Sequence, residues 1–205
     1  MANGYDVQKW RDRMLHRSDM TGHLTHLTRG TGTVSSCENL MKILKDRKLN
    51  GSNSSESFIT GDNPAVCFQE APLYGISQNS FHEERNQRDL KWKVRYEPVG
   101  LSFPKKYVFE KGGRPVFYEN REVAKSLLPK NEWYRIVNFN LSNDNAIIDW
   151  THEREWRVKG DFDFDLSEAY VLLLNQDYYR WFIKNADKEI IETVKGIVVL
   201  QPVLE

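Results

Sequence analysis

The chain has 205 residues, 40% hydrophobic and 28% charged, with 29 Lys and Arg against 29 Asp and Glu. That length and composition predict one globular domain over residues 1–205 and exclude a chain too polar to bury a core. A formal net charge of zero excludes a general attraction to nucleic acid, so any such binding has to come from a local patch. Cys37 and Cys67 supply neither a disulfide framework nor a Cys-x-x-Cys motif. The start at Met1 has no basic segment leading into an apolar run, and no apolar stretch approaches the roughly 20 residues that cross a bilayer. The expectation is a soluble cytoplasmic protein with no membrane association.

In chain order, residues 6–16 place Val7, Trp10, Met14 and Leu15 at loosely helical spacing, which predicts a helix packed on the domain. Residues 22–28 alternate as a strand and run into Arg29-Gly30-Thr31-Gly32, where the glycines permit a turn or a close backbone approach. Ser35 and Glu38 have capping-box spacing for a helix bearing Leu40, Met41, Ile43 and Leu44, with Asn50-Gly51 as its stop. Residues 52–64 read as a polar surface loop. A strand follows over 65–70, ended by Pro72, and then an exposed helix over 77–89. Residues 91–103 and 114–118 read as β pieces around the Gly112-Gly113 turn. Helical signals cover 121–128 and parts of 132–139, and a strand is expected over 149–158. An apolar strand over 169–174, an aromatic-rich helix over 177–186 and a strand over 196–200 close the chain. This order predicts a mixed α+β domain with a mostly antiparallel sheet core and surrounding helices.

The segment Trp150-Thr151-His152-Glu153-Arg154-Glu155-Trp156-Arg157 is the densest cluster of reactive side chains. On a continuous strand, Glu153, Glu155 and Arg157 share one face while Arg154 and Trp156 share the other. Two converging carboxylates can hold a ribose hydroxyl, stabilise positive charge developing on a sugar carbon and take a proton from a nucleophile. Arg157 can steady a carboxylate or contact phosphate. An exposed edge of ion pairs fits the same spacing, and spacing alone does not decide between the two. Trp150 and Trp156 add flat walls suited to a nicotinamide or a base.

His26-Leu27-Thr28-Arg29, the helix Asn39 to Leu44 with its Lys48-Leu49 exit, Val66-Cys67-Phe68-Gln69-Glu70 and the late glutamate strand together resemble the ADP-ribosyltransferase superfamily. The resemblance spans most of the chain and is nearest to the antiphage toxin branch, with its DarT-like, AbiGi-like and CmdT-like groups. Gly100-Leu101-Ser102-Phe103, Gly112 to Tyr118 and the Trp150 to Arg157 cluster are similar to the AbiGi-like group in particular. The resemblance implies a split, mostly antiparallel sheet and NAD as substrate. It implies transfer of ADP-ribose to nucleic acid, RNA ahead of DNA, by a toxin that an antitoxin protein restrains. Glu155 then takes the place of the late catalytic glutamate and Glu153 orients or deprotonates the acceptor. His26 occupies the first-strand position on the nicotinamide ribose or amide, with Thr28 beside it and Arg29 on an NAD phosphate. The second-strand position falls near Cys67 or Phe68, and Phe68 or Tyr74 is expected to wall the nicotinamide. Arg157, Trp156 and Arg114 are the expected acceptor contacts.

His23-x-x-His26 on a strand faces opposite ways, so no metal site is expected, and the phosphate-loop and dinucleotide-fold glycine patterns are missing. Lys91, Lys93, Arg95, Lys105, Lys106 and Lys111 with Trp92, Tyr96 and Tyr107 form either a stacking and phosphate patch or a solvated sheet face. Tyr178-Tyr179-Arg180-Trp181-Phe182 reads as core, or as a surface that an antitoxin covers. Two other readings stand beside the transferase: a catalytically silent antitoxin or sensor subunit of the same fold, and a metal-dependent nuclease. Glu155→Gln is expected to abolish transfer and toxicity while leaving the fold intact.

Overall fold

The longer strands gather into one main sheet because each is apolar on at least one face. The structure is a computed structural model and describes residues 4–53, 58–86 and 97–203, without the side chains of 81 and 83–86. Helix α1 (Val7–Leu15) starts on an Asp6 cap and leads to β1 (His23–Thr28). The expected capping box opens α2 (Ser36–Asp46), with Ser35 and Glu38 each satisfying the other's backbone N–H. The helix stops earlier than Asn50-Gly51, because Arg47 takes a left-handed conformation at φ 52° and the chain at once forms β2 (Lys48–Leu49).

Strand β3 (Ala65–Gln69) is followed by α3 (Leu73–Asn86), which begins before the predicted helix over 77–89. Residues 87–96, including part of that helix and Lys91, Lys93 and Arg95 of the basic patch, lie outside the described residues. Strand β4 (Val99–Pro104) is buried on both faces and turns into an unpredicted short helix, α4 (Lys105–Glu110). The β piece expected over 114–118 is divided into β5 (Arg114–Pro115) and β6 (Phe117–Glu119), which join different sheets. Helix α5 (Arg121–Leu127) and a 3-10 turn over Lys130–Arg135 precede β7 (Ile136–Asn138), parallel to β6.

The last third begins with a 3-10 turn over Thr151–Glu153 and strand β8 (Glu155–Lys159). Then come β9 (Phe162–Asp163), paired with β2, and β10 (Tyr170–Leu173). Helices α6 (Gln176–Asn185) and α7 (Lys188–Thr193) carry the chain over to β11 (Gly196–Val199), parallel to β10. The main sheet has seven strands in the order β11-β10-β4-β1-β3-β8-β5, all antiparallel neighbours except that parallel edge pair. This is the expected α+β class with a mostly antiparallel sheet. No helix among the described residues is long and apolar enough to cross a membrane.

One face of the sheet carries the core. Phe68 and Phe103 each meet Phe162 edge to face and Phe103 meets Phe164 the same way, with ring centroids 5.2 Å apart for Phe68–Phe162 and 5.0 Å for Phe103–Phe164. Leu24, Leu101, Val171 and Leu173 from the sheet and Leu40 and Leu44 from α2 fill the space around them. Strand β4 can lie close against β1 because Gly100 has no Cβ; one there would sit 2.1 Å from the His26 carbonyl oxygen.

The opposite face is polar although buried. Antiparallel partners share a face, so the registers line up Tyr170, Ser102, Thr25, Gln69 and Glu155 in one row across five strands. Helix α3 is not the exposed helix expected: it buries Ile76, Ser77 and Ser80 completely. Among the described residues, the hydroxyls of Ser77 and Ser80 and Oε1 of Gln69 have no hydrogen-bond partner, a costly arrangement in a core. Ser77→Ala and Ser80→Ala should therefore leave stability unchanged or raise it by about 1 kcal/mol each, read from urea midpoints. A loss of similar size would show that the hydroxyls are bonded in solution.

Candidate active site on strands β1, β3 and β8

The charged segment is not one continuous strand. After the 3-10 turn, Arg154 adopts φ 46°, ψ 52°, and only then does β8 begin. The turn is held because the Arg154 carbonyl accepts from Glu70 N at 3.2 Å and its guanidinium bonds the Asp19 carbonyl. The shared strand face expected for Glu153, Glu155 and Arg157 thus holds for Glu155 and Arg157 alone. A left-handed residue breaks the alternation that strand geometry requires.

Glu155 and Arg157 form a buried bidentate pair, Nε to Oε1 at 2.7 Å and Nη2 to Oε2 at 3.2 Å. They are 7% and 3% exposed. The remaining guanidinium nitrogen donates to the carbonyls of Tyr134 at 2.6 Å and Ile136 at 3.2 Å. Burial works against the charge on Arg157, but Glu155 and Cys67 outweigh it and the guanidinium stays firmly protonated. Arg157 is therefore spent on positioning Glu155 and has internal partners in place of the expected acceptor. The Glu155 N–H donates to the Tyr118 hydroxyl at 2.7 Å, and burial together with the Glu155 carboxylate raises that phenol to about 12. Tyr118 stays a neutral hydroxyl beside the acid.

Cys67 joins the two sides of the site. It pairs across the sheet with Arg157, and burial first, then Glu155 and Glu153, push its thiol well above the ordinary range. The thiol is a neutral donor beside the carboxylates and not a nucleophile. Although Glu153 is off the strand, it is buried and its charge still reaches Cys67. The Cys67 carbonyl accepts a 2.8 Å hydrogen bond from His26 Nδ1. Because a carbonyl only accepts, Nδ1 carries the hydrogen and Nε2 of the neutral ring is an acceptor. Strands β1 and β3 pair only at Thr25–Gln69, and the imidazole bridges them just beyond that point. Sequence reasoning left the middle position between Cys67 and Phe68; the side chain against Glu155 is that of Cys67.

The other predicted site residues divide. Thr28 is buried and accepts from Asn39 Nδ2 at 3.0 Å, which ties β1 to α2, while Arg29 is exposed beyond it. Phe68 is 1% exposed within the aromatic core, so it has no face left to wall a ligand. Tyr74 is exposed on the first turn of α3. Trp156 points to the face opposite Glu155, where its Nε1 donates to Glu70 Oε2 at 2.7 Å. Arg114 pairs with Arg157 across β5 and β8, but its guanidinium bonds the Phe109 and Gly113 carbonyls and stacks 4.0 Å from the Phe109 ring. Gln69 and Tyr118 were missed. Nothing in local spacing connects positions 69, 118 and 155, which only the sheet register and the loop before β6 bring together. Among the described residues no group of three His, Cys, Asp or Glu side chains could hold a metal ion.

No family model matches the chain, and no solved structure matches it. Among curated proteins, it is similar to a probable serine/threonine-protein kinase PBL21 of Arabidopsis thaliana, 26% identical over 110 residues. That stretch is 53% of this chain and 29% of the kinase, so the chain spans less than a third of the relative it matches. Kinase chemistry rests on Gly-x-Gly-x-x-Gly, His-Arg-Asp and Asp-Phe-Gly. This sequence has Gly30-Thr31-Gly32-Thr33-Val34-Ser35, Gln87-Arg88-Asp89 and Asp161-Phe162-Asp163, none of which completes those motifs.

Two tests follow from this geometry. Arg157→Met should cost about 3–5 kcal/mol by leaving a buried carboxylate unpaired, and adding Glu155→Met should recover most of it, measured as a double-mutant cycle in urea. Burial, only partly offset by the bond to Cys67, depresses the His26 pKa below the ordinary 6.5. The contribution of His26 is then complete above about pH 6.5 and is lost as pH falls from there through its folded value, because the unfolded chain binds the proton first. Urea midpoints from pH 7.5 to 5 should fall, and His26→Gln should flatten the decline.

Proposed function

We propose that this chain is an NAD-dependent mono-ADP-ribosyltransferase acting as a toxin in a bacterial antiphage system, with nucleic acid as acceptor, RNA ahead of DNA. The observation that carries the reading is the adjacency of β1, β3 and β8, which sets the Cys67 side chain against Glu155 on one face while His26 bonds the Cys67 carbonyl from the other face. These three strands are the ones that the family resemblance, given on sequence alone, implies for the site.

The residues fit NAD as a substrate. Glu155, kept in a fixed direction by Arg157, is the carboxylate that stabilises positive charge on the ribose C1′. Gln69, the cross-strand neighbour of Glu155, offers its amide oxygen to a hydroxyl or amide hydrogen, while His26 faces the other side of β1 beside Phe68 and supports the site only through the Cys67 carbonyl. The bond from C1′ to nicotinamide breaks with its electron pair leaving on nicotinamide, and the acceptor's lone pair forms the new bond to C1′. The acceptor's proton passes to Glu155 or Glu153. Glu155 is almost wholly covered, by an environment that includes Ile59 and Tyr134 packed over Cys67, so this chemistry requires that cover to open.

The same burial favours a second reading, a catalytically silent protein of this fold that acts by binding, since the ion pair already occupies Glu155. Incubation with labelled NAD and separate pools of RNA, DNA and protein separates the two. The expected outcome is label on nucleic acid, reduced at least about a thousandfold by Glu155→Gln and strongly by Glu153→Gln. Contrary to the expectation from sequence, Glu155→Gln should also lower the melting temperature, because it uncharges one half of a buried pair. Absence of turnover in the wild-type chain would leave the binding reading.

A further inference from the structure

On the face of β8 opposite Glu155 lies a cleft of about 280 Å³ between α1 and α4, lined by Tyr5, Trp10, Lys105, Lys106, Phe109 and Trp156 among others. Its floor is rigid: Glu70 binds the Trp156 indole N–H through one oxygen and Lys105 Nζ through the other, holding the ammonium 5.1 Å from the indole centroid. Its walls are unfinished. Helix α1 buries none of its residues, and Tyr5 and Phe109 are 59% and 48% exposed. Among the described residues Lys106 pairs with Glu110, both about half exposed, a contact that an incoming phosphate replaces at little cost.

Four aromatic side chains around a slot of this size, with ammonium groups at its edge, match a planar ring carrying a nearby negative charge. The lysines are the cleft's charged donors, and the side chains lining it offer little that could read the hydrogen-bonding edge of a base. Recognition would rest on stacking and charge. We propose that this cleft seats an unpaired nucleobase of a single-stranded nucleic acid, with the adjoining phosphate on Lys106. The inference rests on the reading of nucleic acid as acceptor and adds where the strand is held. A paired base cannot enter, so single strands should bind and duplex should not, with little sequence preference.

The test is fluorescence titration of the full chain with single-stranded homopolymer oligonucleotides and a matched duplex, without NAD. The expected result is quenching by the single strands that weakens with salt, and at least about a tenfold loss of affinity in Trp10→Leu and in Lys106→Glu. Phe117→Ala, an exposed aromatic outside the cleft, should bind as the wild type does. Both cleft substitutions lie on exposed or half-buried positions, and melting curves verify the fold. Unchanged affinity in both variants, equal binding of duplex, or self-association of the chain in place of oligonucleotide quenching overturns the proposal. Oligonucleotide binding at the cleft without NAD turnover overturns the transferase reading alone.

Discussion

The Glu155–Arg157 pair is the constraint around which this end of the molecule is arranged. Two charges with almost no contact with solvent are tolerable only when each is fully bonded, and Arg157 achieves that by taking the Tyr134 and Ile136 carbonyls as well as both carboxylate oxygens. One side chain thus fixes the 3-10 turn at Lys130–Arg135 and the start of β7 relative to β8. It also decides the direction of Glu155. A carboxylate at the end of a flexible side chain becomes a group of single orientation, a prerequisite for an acid that acts on one atom of a substrate.

Much of this was legible in the sequence because it rests on short-range rules. The α2 start follows from Ser35 and Glu38, and the buried strand β10 from an unbroken apolar run. What escaped is what local pattern does not encode. Arg154 in the left-handed region cannot be read from Glu-Arg-Glu, which is equally good strand sequence, so Glu153 was assigned to a face it does not share. Phe68 and Cys67 are adjacent, and only the register with Trp156 and Arg157 tells which faces the core and which the acid. Ser77 and Ser80 look like surface residues of a polar helix, yet they are sealed over the least expected part of the protein.

The polar row from Tyr170 to Glu155 makes physical sense as a compromise. A sheet buried on both faces is most stable when both are apolar, and this one is apolar on a single face. Groups at Gln69, Ser77 and Ser80 that find no partner among the described residues give up part of the stability that the aromatic core supplies. The sacrifice lies beside the Glu155–Arg157 ion pair, at the point of the sheet where local consistency is weakest.

Strand β8 links the two halves of the functional reading through its pleat alone. Consecutive residues must point to opposite faces, so an acid at 155 obliges residue 156 to face the other way. Trp156 therefore belongs to a different environment, fixed by Glu70 and Lys105 beneath α1, and cannot serve as a wall for anything bound at Glu155. A strand of nucleic acid held at the aromatic cleft would have to pass around the end of β8, where Arg154 turns the chain, to bring a neighbouring nucleotide to the acid. The turn at that corner is pinned by the Glu70 N–H on the Arg154 carbonyl and by the Arg154 guanidinium on the Asp19 carbonyl.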